Sequence, residues 1–237
     1  MPDEAPPPSA DPPLWQVVAA QITAEMAAGR LADGARLSPE REMAPAMGVA
    51  VGTLRRALAD LEGRGLLERR QGSGNYVRHA GLGREVYGLF RLERADGVPG
   101  MPGADLLDVA EGRAPEGAPF GSATRIRRLR RIGGLHVAAE EIWLDAACGR
   151  PRAEELGDSL YLSYGAQLSV FVTRVEDRVT LGDMPGWAGL GAGRCGRVLR
   201  RSWAGGAVVE VSVTSFDPSL AHYVNRAART APPKGPA

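Results

Sequence analysis

The chain has 237 residues, enough for one large or two modest domains, and 44% of them are hydrophobic, which excludes a disordered polymer. Its 29 basic and 28 acidic residues leave a formal charge of +1, so bulk attraction to nucleic acid or membrane is excluded and such a partner must be met by a local patch. Lys234 is the only lysine, so every other cation is an arginine, suited to forked recognition of anions.

The segment 1–13 is rich in Pro, Ala and Asp and is expected to be a disordered tail, as is 228–237. From Leu14, the apolar residues Trp15, Val18, Ile22 and Met26 recur at helical spacing, predicting a first helix that Gly29 ends. Ser38-Pro39-Glu40-Arg41-Glu42 places a capping hydroxyl, a proline for the first helical position and two first-turn acids in order, predicting a second helix. Pro45 should kink that helix or end it early. After Met47-Gly48-Val49 a third helix sets Val51, Leu54, Leu58 and Leu61 on one face, leaving Gly52, Thr53, Arg55 and Arg56 on others. Two short helices around so tight a turn have helix-turn-helix spacing.

Leu66 to Arg70, a Gln71-Gly72-Ser73-Gly74 turn and Asn75 to Arg78 then predict a hairpin, which would be a wing. Between Arg55 and Arg78 six arginines stand against three acids, so the neutral chain hides a local positive surface. Thr53, Arg55 and Arg56 on the third helix suit a DNA major groove, where arginine bonds phosphates or the O6/N7 edge of guanine. Taken singly each arginine is compatible with a solvated face; the ordered combination points to double-stranded DNA.

These residues resemble the GntR-type winged helix of bacterial transcription regulators. The signature comprises Gly29-Arg30-Leu31, Leu37 to Ala44, Met47-Gly48-Val49, Thr53 to Leu58, Leu61, Gly65-Leu66-Leu67 and Gly72 to Val77. The resemblance implies DNA contacts at Arg41, Thr53, Arg55, Gln71 and Gly72, and Gly52, Arg56 and Arg70 join them from the reading of the residues. The sequence departs from the family in reading Ser38-Pro39 for a Pro-Ser order and Ala50-Val51 for a Ser-Arg pair, which removes a helix cap and a base-reading arginine.

The domains are expected at 14–78 for the winged helix and 87–227 for a second unit, with a linker at 79–86. In Arg125 to Ile132, alternation puts Ile126, Arg128, Arg130 and Ile132 on one strand face, embedding two arginines among apolar side chains. The next strand groups Ala138, Glu140, Ile142 and Leu144, and a later hairpin around Gly205-Gly206 packs Val209, Val211 and Val213 one way with Glu210, Ser212 and Thr214 the other. Arg128 and Arg130 therefore form either a clamp for phosphate, carboxylate or a related anion, or an internal ion pair that holds the sheet.

This second region resembles the UTRA effector domain of the HutC-like branch of GntR regulators, through Arg128-Leu129-Arg130, Gly133-Gly134, Glu140-Glu141, Asp158 to Tyr161, Tyr164-Gly165 and Val208 to Ser212. It implies an α+β, chorismate-lyase-like antiparallel sheet and a small-molecule effector contacted by Arg128, Arg130, Glu140, Ser159 and Glu210. His136 has no acid or thiol pattern beside it in sequence, and Cys148 and Cys195, with no histidines at metal spacing, are expected to be unpaired thiols.

The expected protein is a DNA-binding transcription regulator, a repressor by family, that acts as a cytoplasmic homodimer on a near-palindromic operator under control of a small, anionic metabolite. No cofactor, metal, membrane partner or catalytic residue is expected. The rivals are a small-molecule lyase or hydrolase fused to the DNA reader, and a dimeric reader that senses nothing.

Overall fold

The computed structural model describes residues 13–27, 30–79 and 89–226. The Gly29 helix stop, the linker from residue 80 onward and almost all of the two tails lie outside the described residues.

Helix α1 (Leu14–Ala27), α2 (Glu40–Ala46) and α3 (Val51–Gly63) precede a two-stranded antiparallel wing, β1 (Leu67–Arg70) and β2 (Gly74–Val77). Val18, Ile22 and Met26 from α1, Ala44 from α2, Leu54, Leu58 and Leu61 from α3, and Leu66, Leu67 and Val77 from the wing build one core. Helix α2 starts at Glu40 and not on a Ser38 cap: Pro39 precedes the first turn and no side chain caps it. A proline forces the residue before it toward extended backbone, so Ser38 sits one position too far back to reach the first-turn amides. Glu40 and Glu42 do lie in that turn. Pro45 closes the helix early, as expected, with Met47 N–H on the Met43 carbonyl and Gly48 N–H on the Pro45 carbonyl. Ala50 opens α3 without a side-chain cap.

The remainder is a six-stranded antiparallel sheet, ordered β4-β5-β6-β9-β8-β7, from β4 (Pro102–Arg113), β5 (Ser122–Ile132), β6 (Leu135–Asp145), β7 (Arg174–Asp183), β8 (Arg194–Ala204) and β9 (Ala207–Phe216). A small pair, β3 (Leu92–Arg94) with β10 (Ala221–Tyr223), stands beside it. Helix α4 (Leu160–Leu168) covers the inner face, packing Leu160 and Tyr164 on Ile126, Ile142 and Leu144. The fold is α+β.

On β5 the observed burial alternates as the sequence predicts: Ile126, Arg128, Arg130 and Ile132 are buried, while Arg125, Arg127 and Arg131 reach ion pairs with Asp108, Glu141 and Asp105 on the other face. Antiparallel register sets Arg128 opposite Glu140, Thr214 beside Glu140, and Ser202 opposite Glu210. The polar set Glu210, Ser212 and Thr214 thus faces the inner, helix-covered side, and the valines face outward. His136 has an acid partner after all: its Nε2 lies 2.6 Å from Asp105 Oδ2 on β4, a contact that strand pairing creates across 31 positions of sequence. Both side chains are a little under half exposed.

Candidate functional sites: a cationic wing and a buried polar cavity

The first site is a depression between α2, α3 and the wing, lined by Arg36, Arg41, Arg55, Arg69, Arg70, Gln71 and Gly72. Gly72 adopts φ +73° and Gly74 φ +115°, left-handed conformations that allow the tight wing turn. Arg55 is two-thirds exposed and its Nε donates to Glu40 Oε2 at 2.6 Å, an ion pair at the surface of the depression. Arg70 lies 4.2 Å over the Tyr76 ring and pairs with Glu68, which holds it at the wing tip. Gly52 is exposed and Thr53 half-buried on the first turn of α3. Arg56 is turned elsewhere: its guanidinium sits 4.8 Å over the Trp15 ring of α1. Sequence reading missed Arg36, which a backbone bridge to Tyr76 places at the wing, its guanidinium next to Gly74.

The second site is a cavity of about 550 Å³ that brings Arg128, Arg130, Glu140, Ser159 and Glu210 together. That volume is typical of small-molecule sites. Arg128, 7% exposed, donates Nε to Glu140 Oε2 at 2.5 Å, and both Arg128 and Arg130 donate to the Asp158 carbonyl, at 3.2 and 2.9 Å. Arg130 also lies 4.6 Å over the Phe90 ring. Burial opposes the charge on Glu140, but Arg128 and Arg130 outweigh it and hold the carboxyl down at about 2. Thr214 adds a hydrogen bond to its second oxygen.

Glu210 behaves oppositely. Burial pushes its pKa up against the opposing pull of the Tyr164 and Ser202 hydroxyls; Ser202 donates to Oε1 at 3.0 Å and Tyr161 at 3.2 Å. Its Oε2 is buried with no hydrogen-bond partner among the described residues. Burial, then Glu210 itself, raises the Tyr161 phenol well above its ordinary value. Arg200, absent from the sequence-derived set, borders the same cavity and is clamped by Asp177 through two hydrogen bonds of 2.6 and 2.7 Å. One cavity therefore offers cations for an anion, an ionised acceptor at Glu140 and a reluctant carboxyl at Glu210 for hydroxyls.

Burial lifts the Cys148 thiol to about 11, leaving little thiolate near neutrality. Among the described residues, no cluster of three or more His, Cys, Asp or Glu is arranged to hold a metal ion. Cys148 and Cys195 are unpaired thiols.

The family model for bacterial regulatory proteins of the gntR family matches residues 14–77, the three helices and the wing, and the UTRA domain model matches residues 104–188. The HTH-type transcriptional regulator SmoD of Agrobacterium fabrum (strain C58 / ATCC 33970) is 50% identical over 225 residues, 90% of this chain and 96% of that one. This chain belongs to the GntR family. It is a DNA-binding transcription regulator with a UTRA effector domain. Shorter matches are to the HTH-type transcriptional repressor NagR of Bacillus subtilis (strain 168), 31% identical over 40% of each chain. The mannosyl-D-glycerate transport/metabolism system repressor MngR of Escherichia coli (strain K12) is 36% identical over 35% of this chain and 34% of that one.

The sheet also shares its fold with the ligand-binding domain of a GntR-family transcriptional regulator from Bordetella bronchiseptica, with TM-score 0.51 and 19% identity over 58% of this chain and 96% of that one. Within this GntR regulator the UTRA match takes in β4, β5, β6 and α4, while Arg200 and Glu210 lie on β8 and β9 beyond it. Among the described residues no helix is long and apolar enough to cross a membrane.

Proposed function

We propose that this regulator is a cytoplasmic, homodimeric repressor whose hold on its operator is set by a small hydroxylated anion bound between Arg128, Arg130, Ser159 and Glu210, and that it catalyses no reaction. The observation that carries the reading is the pair of buried arginines opening onto a cavity rather than onto solvent. Buried cations are costly unless well partnered, and two arginines converging on one cavity suit an anion of matching shape. Ser159, Ser212 and the free oxygen of Glu210 supply hydroxyl partners. The repressor sense is supported by the printed names of NagR and MngR.

At the wing, Arg41, Arg55, Arg70, Gln71 and Gly72 form the DNA-contacting surface, with Gly52 and Thr53 at the helix start. Arg56 is assigned to it by sequence position alone, since its guanidinium stacks on Trp15. Residues 14–78 and 87–227 are the two working units. A two-fold dimer would present recognition helices about 34 Å apart, or a multiple, to one face of the duplex.

Selection from a random duplex library, followed by calorimetry against hexose phosphates, sugar acids and inorganic phosphate, tests the reading. A preferred duplex released by one of these anions without turnover is expected. Arg55→Ala should weaken that duplex by about 1–3 kcal/mol if Arg55 reads a base edge, and Arg128→Ala should abolish release by the anion. Turnover of a panel compound would favour the enzyme, and absence of any binding the reader that senses nothing.

A further inference from the structure

The cavity is not enclosed by the sheet and α4 alone. Trp15 and Gln16 of α1, and Asp60 with Arg64 at the end of α3, an ion pair at 2.9 Å, also line it together with Arg128 and Arg130. We propose that the DNA-reading helices are themselves a wall of the effector cavity, so that one bound anion touches both units and fixes the recognition helix by direct contact. The proposal rests on the effector reading above and adds to it which residues transmit the signal.

Three observations support it. First, α1 is apolar on more than the face that fills the reader's core: Ala20 is buried but lies outside that core, and a side-chain carbon placed on Gly165 of α4 would fall 3.1 Å from its Cβ. A helix apolar on two sides needs two partners, and here α4 is the second. Small residues at the crossing let the two helices approach closely. Second, the indole N–H of Trp15 is buried at the cavity wall with no acceptor among the described residues, a donor that an anionic or hydroxylated ligand would satisfy. The same ring carries Arg56 of α3 on its face. Third, α3 bears Arg55 near its start and Arg64 at its end, nine residues or about 14 Å along one rigid helix. One end of that helix carries the proposed DNA contact and the other lines the cavity.

The consequence is thermodynamic. A ligand with equal affinity for docked and undocked readers would regulate nothing. A ligand held by both units stabilises the docked arrangement by its whole differential affinity, and couplings of this kind change affinity by about 5- to 150-fold.

A staple and a wedge in the full-length chain test this. In a Cys148→Ser, Cys195→Ala background, Ala20→Cys with Gly165→Cys should close an intrachain disulfide on oxidation, after a shift of a few tenths of an ångström toward the usual Cβ separation of about 3.8 Å. Failure to form it would overturn docking. Relative to its own reduced form, the stapled chain should bind the selected duplex about 5- to 150-fold differently with no ligand present; affinity unchanged within about twofold would overturn the proposal.

Ala20→Leu, an uncharged wedge at a position outside the reader's core, should hold α1 away from α4 and weaken binding of the panel anion by about tenfold or more. Unchanged anion affinity would return the cavity to the sheet domain alone. If instead the unmodified chain selects no duplex, or binds no anion of the panel, it is the functional reading that has failed, before the wall is in question.

Discussion

Glu140→Gln is the most informative single change in the cavity, because it removes charge while keeping size and an acceptor for Thr214. In the folded chain the carboxyl is held from 4.5 down to about 2, despite burial, by Arg128 and Arg130. That corresponds to about 3 kcal/mol of preference for the ionised form. Breaking a buried pair from one side costs about 3–5 kcal/mol because the other charge is stranded. Arg128 keeps its bond to the Asp158 carbonyl, which argues for the lower end. A loss of about 3 kcal/mol at pH 7 would lower the urea midpoint by about 1.5 M for an m-value of about 2 kcal/mol/M.

The sign of the pH dependence follows from the depressed folded pKa. The contribution is complete above about 4.5 and fades as pH falls toward about 2, so the gap between parent and variant should narrow over that window. Urea titrations of both proteins at several pH values measure it. A gap below about 1 kcal/mol at pH 7, or one that stays constant on acidification, would refute the pairing as the stabilising contact.

Arg36→Ala should weaken every duplex about equally and reduce the slope of log affinity against log salt by about 1, as expected of a phosphate contact; a change confined to one sequence in fluorescence anisotropy would show base reading instead. Gly196→Ala should cost about 1–3 kcal/mol, since the added carbon would fall 2.3 Å from the buried Phe216 ring. Gly103→Ala should cost less than about 1 kcal/mol although it meets Arg131 at 2.6 Å, because that guanidinium is the free end of a half-exposed side chain. Equal thermal shifts for the two glycine variants would contradict this difference.

The reader was legible because every signal in it is local: helical spacing from Trp15 to Met26, the Gly48 turn, and glycines at the wing tip where φ is positive. On β5, too, alternation alone identified Arg128 and Arg130 as inward-facing. What escaped is what pairing creates. The strands β4 and β7 are the sheet's edges and carry exposed Leu106, Leu107, Val179 and Leu181, so no clean two-residue alternation marks them. The contact between His136 and Asp105 and the place of Arg200 in the cavity depend on registers that local patterns do not encode. In β9 the alternation separated the valines from Glu210, Ser212 and Thr214 without saying which set faces inward, and the inner side belongs to the polar set because it lines the cavity. The share of α1 in that cavity had no signal beyond its second apolar side.

Glu210 offers a last quantitative handle on what the cavity accepts. Its pKa is raised, first by burial and then by Glu140, against the opposing hydrogen bonds and Arg200. Ionisation is therefore harder in the folded chain than for a free carboxyl, and raising the pH through the folded pKa places a second negative charge where an anionic ligand must sit. Affinity for the panel anion should fall as that ionisation proceeds, and folding stability should fall over the same interval, since a group with a raised carboxyl pKa stabilises only below it. Glu210→Gln removes the titration but keeps a side chain able to donate and accept. Calorimetry at a series of pH values rising from the ordinary carboxyl value of 4.5 should then give a flatter affinity profile for the variant, with the anion's own ionisation common to both. Parallel profiles for parent and variant would mean that Glu210 does not face the bound anion, and hydroxyl recognition would have to be reassigned to Ser159 and Ser212.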